Sequence, residues 1–291
     1  MRAVAPISPA APPASRRRNL AVRLATAAIL VPPVFWLIAR GGAGFALLVA
    51  FASGACTWEV YAMSLGGGRA RFSPAVGLGV ALGAAMPLLA WRGLYFRAAP
   101  LAAIGLFGAA SATAVLSRGE IEGAAGDVSR LVSGWVYGAL PLGLLPLLRA
   151  RPEGAWWVLL LCALTWLNDT GAYFVGHAFG RHKLHPRVSP GKTWEGFAGG
   201  LVFSLLAAFG VRWIALRGLG ALDCVVLGGV AGFVGPLGDL TESLFKRACG
   251  VKDSGRLMPG HGGMLDRIDA LIFNTPVVYL YVVLVQGQPW R

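Results

Sequence analysis

Charge is scarce in this chain and carboxylates are scarcer: 13% of residues are charged against 56% hydrophobic, and only 13 of 291 are Asp or Glu. With a mean hydropathy of +0.64, that excludes a soluble domain of this length, so most side chains must have lipid as their solvent. The four cysteines, Cys56, Cys162, Cys224 and Cys249, form no CxxC and have no His at ligand spacing. That excludes a zinc site and leaves them as packing residues. No repeat of fixed period is present, and no low-complexity tract beyond residues 1–19. Those residues, with Pro6, Pro9, Pro12, Pro13 and Arg16, Arg17, Arg18, read as a disordered basic lead. The apolar run that follows is long and ends in no small-residue cleavage site, so it reads as a retained first span.

What the chain does have is apolar windows of spanning length. They fall near 20–39, 43–63, 73–91, 98–117, 131–149, 154–178, 197–216, 221–245 and 268–286, which predicts an all-α, polytopic bundle of about nine transmembrane helices. The 41 glycines suit close helix packing in lipid. The expected organisation is the lead, an amino-terminal set of helices over 20–150, and a carboxy-terminal region over 151–291 that holds nearly all the clustered polarity. The net charge of +13 sits between apolar runs, which favours membrane lipids and anionic substrates as partners over nucleic acid. With the amino terminus in the cytoplasm, 18 of the 26 Lys and Arg fall on that side and 8 on the other. The two longest polar loops, 179–195 and 246–267, then face the cytoplasm together.

The first polar cluster runs from Asn168-Asp169 to Glu195. Asp169 lies inside an apolar helix, where an ionised carboxylate is costly unless paired, bound to a cation or wetted, which makes it a functional candidate. The alternative is a helix-packing hydrogen bond made by Asn168 and Asp169. Gly191-Lys192-Thr193 looks like the end of a phosphate-cradling loop, but Pro186 stands where such a loop needs Gly, and no strand is expected before it. Ser189, Lys192 and Thr193 can still coordinate phosphate oxygens, because a Pro-Gly turn entering a helix near Trp194 would aim free N–H groups at an anion. The alternative is that Lys192 and Arg187 hold anionic lipid.

The second cluster is denser. On a helix, Asp239, Glu242, Ser243 and Lys246 share one face, and Asp266 and Asp269 share another where the last helix begins. Carboxylates without Cys or His partners suit a hard cation such as Mg2+ bound together with phosphates. Lys246, Arg247, Lys252 and Arg267 supply cations for phosphate, and the turn Gly260-His261-Gly262-Gly263 offers bare backbone for close ligand approach. A structural salt-bridge network would interleave acids and bases too, and His261 alone reads as a hydrogen-bonding turn residue.

The run Ser243-x2-Lys246-Arg247-x4-Lys252-Asp253-x5-Pro259-x-His261-Gly262-Gly263-x2-Asp266-Arg267-x-Asp269 resembles the signature of the bacterial-type phosphatidate cytidylyltransferase (CDP-diacylglycerol synthase) family. Asn168-Asp169 through Ser189-Pro190-x-Lys192-Thr193-x-Glu195-Gly196 looks like that family's second shared stretch, and Trp58-Glu59 is a weak echo in the other half. Met258 and His177 depart from the family's pattern without removing a ligand candidate. The resemblance implies transfer of a cytidylyl group from CTP to phosphatidate, with release of pyrophosphate, at a site needing Mg2+ and open to a second cation, in a bacterial inner membrane and facing the cytoplasm. A homodimer is left open. On this reading the metal falls to Asp239, Asp266 and Asp269, and the catalytic group is Asp239, Lys246, Arg247, Asp266 and Asp269. Substrate contacts fall to Asp169, Ser189, Lys192, Thr193, Glu242, Ser243, Lys252, Asp253, His261, Gly262, Gly263 and Arg267. An ion-coupled transporter using Asp169 and Asp239, or another lipid- or polyprenol-phosphate nucleotidyltransferase, stands as the alternative.

Overall fold

The computed structural model describes residues 13–65, 73–116, 123–258 and 262–287. In chain order the elements are α1 (Pro13–Arg40), α2 (Gly42–Ser64), α3 (Pro74–Trp91), α4 (Tyr95–Leu116), α5 (Ala124–Gly138), α6 (Leu140–Arg149), α7 (Gly154–Phe179), β1 (Lys183–His185), β2 (Ser189–Thr193), α8 (Trp194–Ile214), α9 (Ala221–Ala248) and α10 (Leu265–Leu284). Eight spans among the described residues are long and apolar enough to cross a membrane, against the nine windows expected. The first window falls in α1, whose described apolar part, Ala28–Arg40, is shorter than a span; the helix also takes in the end of the basic lead.

The window near 131–149 is one span in two helices. Pro141 lies in the first turn of α6 and has no N–H to continue the ladder, so the chain breaks at Ala139 between α5 and α6. Elsewhere the helix ends follow local chemistry. Ser73 caps α3, its hydroxyl accepting from the Val76 N–H at 3.3 Å, and Pro74 fills the first turn, where no N–H is needed. Arg149 closes α1 from a distance by donating to the carbonyls of Ile38 and Ala39 at 2.5 and 2.7 Å. Gly41 turns the chain beside that guanidinium at φ 66°, where a Cβ would lie 2.8 Å from its central carbon.

Small residues let the helices approach. Tyr61 of α2 lodges between Gly79 of α3 and Gly134 of α5 and donates to the Leu131 carbonyl at 2.8 Å. Gly199 of α8 meets Val175 of α7, and Gly228 of α9 meets Leu205 of α8. The core of Trp135, Tyr61, Tyr279, Met86 and several leucines is sealed, whereas Leu101, Val115, Trp213 and Leu222 face outward, as expected of a bundle whose surroundings are lipid. The protein is a polytopic helical membrane protein. The ends of α2, α7 and α9 and the starts of α8 and α10 all lie at one end of the bundle, which therefore carries both long polar loops. The two strands among the described residues are there: β1 and β2 form an antiparallel hairpin, pairing Lys183 with Thr193 and His185 with Ser189.

Candidate active site

The hairpin changes the expectation for residues 189–193. They form a strand rather than a Pro-Gly turn, and two of the first N–H groups of α8 are already bonded within the chain. The Trp194 N–H donates to the His182 carbonyl at 2.9 Å, and the Gly196 N–H to Thr193 Oγ1 at 3.1 Å. Glu195 fastens the hairpin to α8, accepting from the N–H groups of Arg181 and His182 at 3.1 and 3.3 Å and lying 2.6 Å from His182 Nδ1. Thr193 is thus a helix cap that also lines one of the two cavities described below, whereas Ser189 is a ladder residue that lines neither. Lys192 does reach the site: its ammonium lies 2.6 Å from Asp239 Oδ2 of α9.

Two backbone features bring α9 into position. Pro236 cannot donate to the carbonyl four residues earlier, so the Gly232 carbonyl is free to accept the Asn168 side-chain amide at 3.1 Å. Asn168 therefore makes a helix-packing contact, while Asp169 beside it opens into the site. Gly238 lies against the Asp269 carbonyl, where a Cβ would come within 2.7 Å, so α9 and α10 touch backbone to backbone.

That contact sets Asp239, Glu242 and Asp269 together, with one oxygen from each within 4.8 Å of the others. Glu242 is 1% exposed; its Oε2 accepts from Lys246 at 2.8 Å, and its Oε1 accepts no hydrogen bond from the described residues. Ser243 donates to Asp239 at 3.4 Å. A buried carboxylate oxygen without a hydrogen bond beside two further carboxylates, a ligand set made of oxygen alone, fits a hard cation.

Asp266 is the departure from the sequence-based ligand set. Its Oδ1 accepts from Lys246 at 2.7 Å, and its Oδ2 accepts from the N–H groups of Ser254 and Gly263 at 3.0 and 2.8 Å. These bonds turn it toward its own loop, and Glu242 takes its place among the grouped acids. Gly262, at φ 85°, and Gly263 serve the same loop: a Cβ on Gly262 would meet Asp266 Oδ2 at 2.7 Å, so the close approach expected for a ligand is made by a side chain of the chain itself. His261 lies outside the described residues.

Two cavities meet here. One, about 510 Å³, is lined by six carboxylates, Asp169, Asp239, Glu242, Asp253, Asp266 and Asp269, and by Lys246, Arg247, Lys252 and Arg267. The other, about 570 Å³, lies between α7, α8 and the hairpin, with Tyr173, His177, Lys183, Lys192 and Phe197 in its wall. Asp169 and Asp239 belong to both.

The profile of the cytidylyltransferase family matches residues 21–285. The chain belongs to that family. Among curated relatives it is similar to proteins named phosphatidate cytidylyltransferase: 43% identical over 142 residues to that of Staphylococcus saprophyticus, and 42% to those of Staphylococcus haemolyticus and Staphylococcus aureus. The matches cover 49% of this chain and 55% of each relative, so the chain spans about half the length of the curated relatives it matches.

Among the residues of this site that the sequence reading does not reach is an acid from the other half of the chain. Glu59 of α2, 4% exposed, accepts from the N–H groups of Met264 and Leu265, both at 2.9 Å, at the start of α10. The signal was available: it is an acid within an apolar span, the same ground on which Asp169 was singled out.

Proposed function

We propose that this chain is a phosphatidate cytidylyltransferase of a bacterial plasma membrane, with its site on the cytoplasmic side. In this reading the phosphate of phosphatidate attacks the α-phosphorus of CTP, giving CDP-diacylglycerol and pyrophosphate. The observation that carries it is the pair of cavities sharing Asp169 and Asp239, one lined by interleaved acids and bases and the other by aromatic side chains with two lysines. Two reactants with unlike bodies and like phosphates need such an arrangement. The names of the staphylococcal relatives and the family membership support it.

The cavity with Lys246, Arg247, Lys252 and Arg267 takes the CTP triphosphate, Arg by paired N–H donors and Lys as a point charge. The neighbouring cavity takes the phosphatidate headgroup, with Tyr173 and Phe197 against its glycerol and tails. Lys192 stands between the two at Asp239 and screens one phosphate from the other. Asp239, Glu242 and Asp269 would hold Mg2+, and the Glu242 oxygen without a hydrogen bond and the oxygen-only ligand set fit it. Bound there, Mg2+ supplies charge neutralisation for the phosphate oxygens.

The reaction asks little proton chemistry of the protein. A phosphate monoester loses its second proton at about pH 6, so the nucleophile is already largely ionised at neutral pH. A bond forms from its oxygen to the α-phosphorus, and the bond from that phosphorus to the oxygen bridging to the β-phosphate breaks. Side chains hold the two groups in line and exclude competing water, and positioning provides most of the acceleration. Coupled transport fits less well: Asp169 lies near the middle of α7, but Asp239 and Glu242 lie in the last third of α9 and Asp266 and Asp269 in the first turns of α10, so the acids gather toward one end of the bundle.

The test is direct. Purified protein in detergent is incubated with labelled CTP, phosphatidate and Mg2+, and the lipid phase is assayed for cytidine alongside released pyrophosphate. Equal yields of the two support the reaction. No lipid-soluble cytidine, or product only with a polyprenol phosphate in place of phosphatidate, overturns it.

A further inference from the structure

Every described residue lining the cavity of Lys246 and Arg247 comes from position 166 onward, yet the loop closing one side of it is held from the other half of the chain. The start of α10 has no side-chain cap of its own, and its leading N–H groups would be orphans there. Glu59 answers two of them from α2. The same carboxylate lies 2.9 Å from Ser254 Oγ, and that hydroxyl lies 3.0 Å from Asp266 Oδ2. A hydroxyl carries one proton and so donates to one of these carboxylates at a time. What Glu59 takes from Ser254 decides what Asp266 receives, and Asp266 in turn holds the Lys246 ammonium at 2.7 Å.

The loop is built around Glu59. A Cβ on Gly255 would lie 2.5 Å from its Oε1, and one on Gly263 would lie 2.5 Å from its Oε2. Lys252 and Asp253, just before Ser254, line the cavity, as does Asp266 just after Gly263. A side chain that served only to join two helices would not need to reach the loop that carries three groups of the site.

We propose that Glu59 is a positioning residue for the cytidylyl transfer, setting through Ser254 the carboxylate of Asp266 and through it the ammonium of Lys246. This rests on the transferase reading above, and it assigns the amino-terminal half a part in the chemistry.

The test uses the full chain with Glu59→Gln. Gln offers one acceptor oxygen and an NH2 group, so one of the three donors around position 59 meets another donor. Hydrogen exchange is measured over residues 252–266, with thermal denaturation and steady-state kinetics in both substrates. Expected are faster exchange at Gly263, Met264 and Leu265 and a fall in kcat of roughly 10-fold to 100-fold, the usual cost of losing an outer partner of a reactive group. KM for CTP should stay within about threefold, since transition-state geometry rather than binding is disturbed. Faster exchange with unchanged kcat, or a loss confined to KM, overturns the proposal.

Should Glu59→Gln fail to fold, Ser254→Ala keeps both Glu59 bonds to α10 and the Ser254 N–H bond to Asp266, and removes only the hydroxyl that the two carboxylates share. It should lose kcat to a similar degree, and wild-type kcat in it overturns the role. The double variant should be no slower than the slower single one, because both act through one contact; multiplied losses would show two independent effects and overturn it. A wild-type protein that makes no lipid-soluble cytidine would fell the transferase reading and this one together, whereas an active wild type with normal variants fells this one alone.

Discussion

Replacing Asp266 by Asn removes one charge and turns an acceptor oxygen into a donor at constant size. If Asp266 were a metal ligand, as its spacing from Asp269 suggested, the variant would fold normally and lose only its metal. The structure leads elsewhere. Oδ2 accepts from the Ser254 and Gly263 N–H groups and Oδ1 from Lys246, so an Asn there sets its NH2 either against loop N–H groups or against an ammonium. Breaking a buried charge pair by removing one partner costs about 3–5 kcal/mol. Lys246 keeps Glu242 as a partner at 2.8 Å and the Asp266 side chain, 7% exposed, lies beside an open cavity, which favours the lower end, about 3 kcal/mol. For a chain of this size, that lowers the thermal midpoint by on the order of 10 °C. Turnover should drop about a hundredfold, because Lys246 loses its orientation. Denaturation in detergent and the labelled-CTP assay read both. An unshifted midpoint with a raised Mg2+ requirement would refute this account and return Asp266 to the metal group.

Glu242→Gln should raise the Mg2+ concentration for half-maximal activity by roughly 10-fold to 100-fold, read from a metal titration; an unchanged requirement would remove Glu242 from the ligands. Chelation with EDTA should abolish product formation, and added Mg2+ should restore it. Lys192→Ala should raise KM for phosphatidate more than KM for CTP, and Arg247→Ala the reverse, so equal effects on both substrates would contradict the division of the cavities. Gly238→Ala places a methyl group against the Asp269 carbonyl and should cost about 1–3 kcal/mol, with reduced activity as α10 is pushed from α9. A stable, fully active variant would mean that this backbone contact does not set the acidic group.

Helical periodicity made part of the site legible. Asp239, Glu242, Ser243 and Lys246 fall on one face by spacing alone, and their bonds follow: Lys246 to Glu242 at 2.8 Å and Ser243 to Asp239 at 3.4 Å. The hairpin was not legible, because residues 180–193 are short, polar and rich in turn formers, and the pairing of Lys183 with Thr193 depends on Glu195 fastening them to α8. Glu59 stands out in the sequence only within the weak Trp58-Glu59 echo, since its partners lie about 200 positions away.

The sequence by itself determined the solvent and the traffic of the chain: apolar windows of spanning length, both polar loops at one end, and acids and bases arranged by the helical repeat. Those are local properties, set by hydropathy and by 3.6 residues per turn. Tertiary structure alone decided which carboxylates meet. Asp239 and Glu242 join Asp269 because glycines let α9 and α10 close to backbone contact, while Asp266 turns to Lys246 and a loop held by Glu59. A carboxylate can accept several donors, and spacing does not say which will reach it first; only the packing of distant segments does.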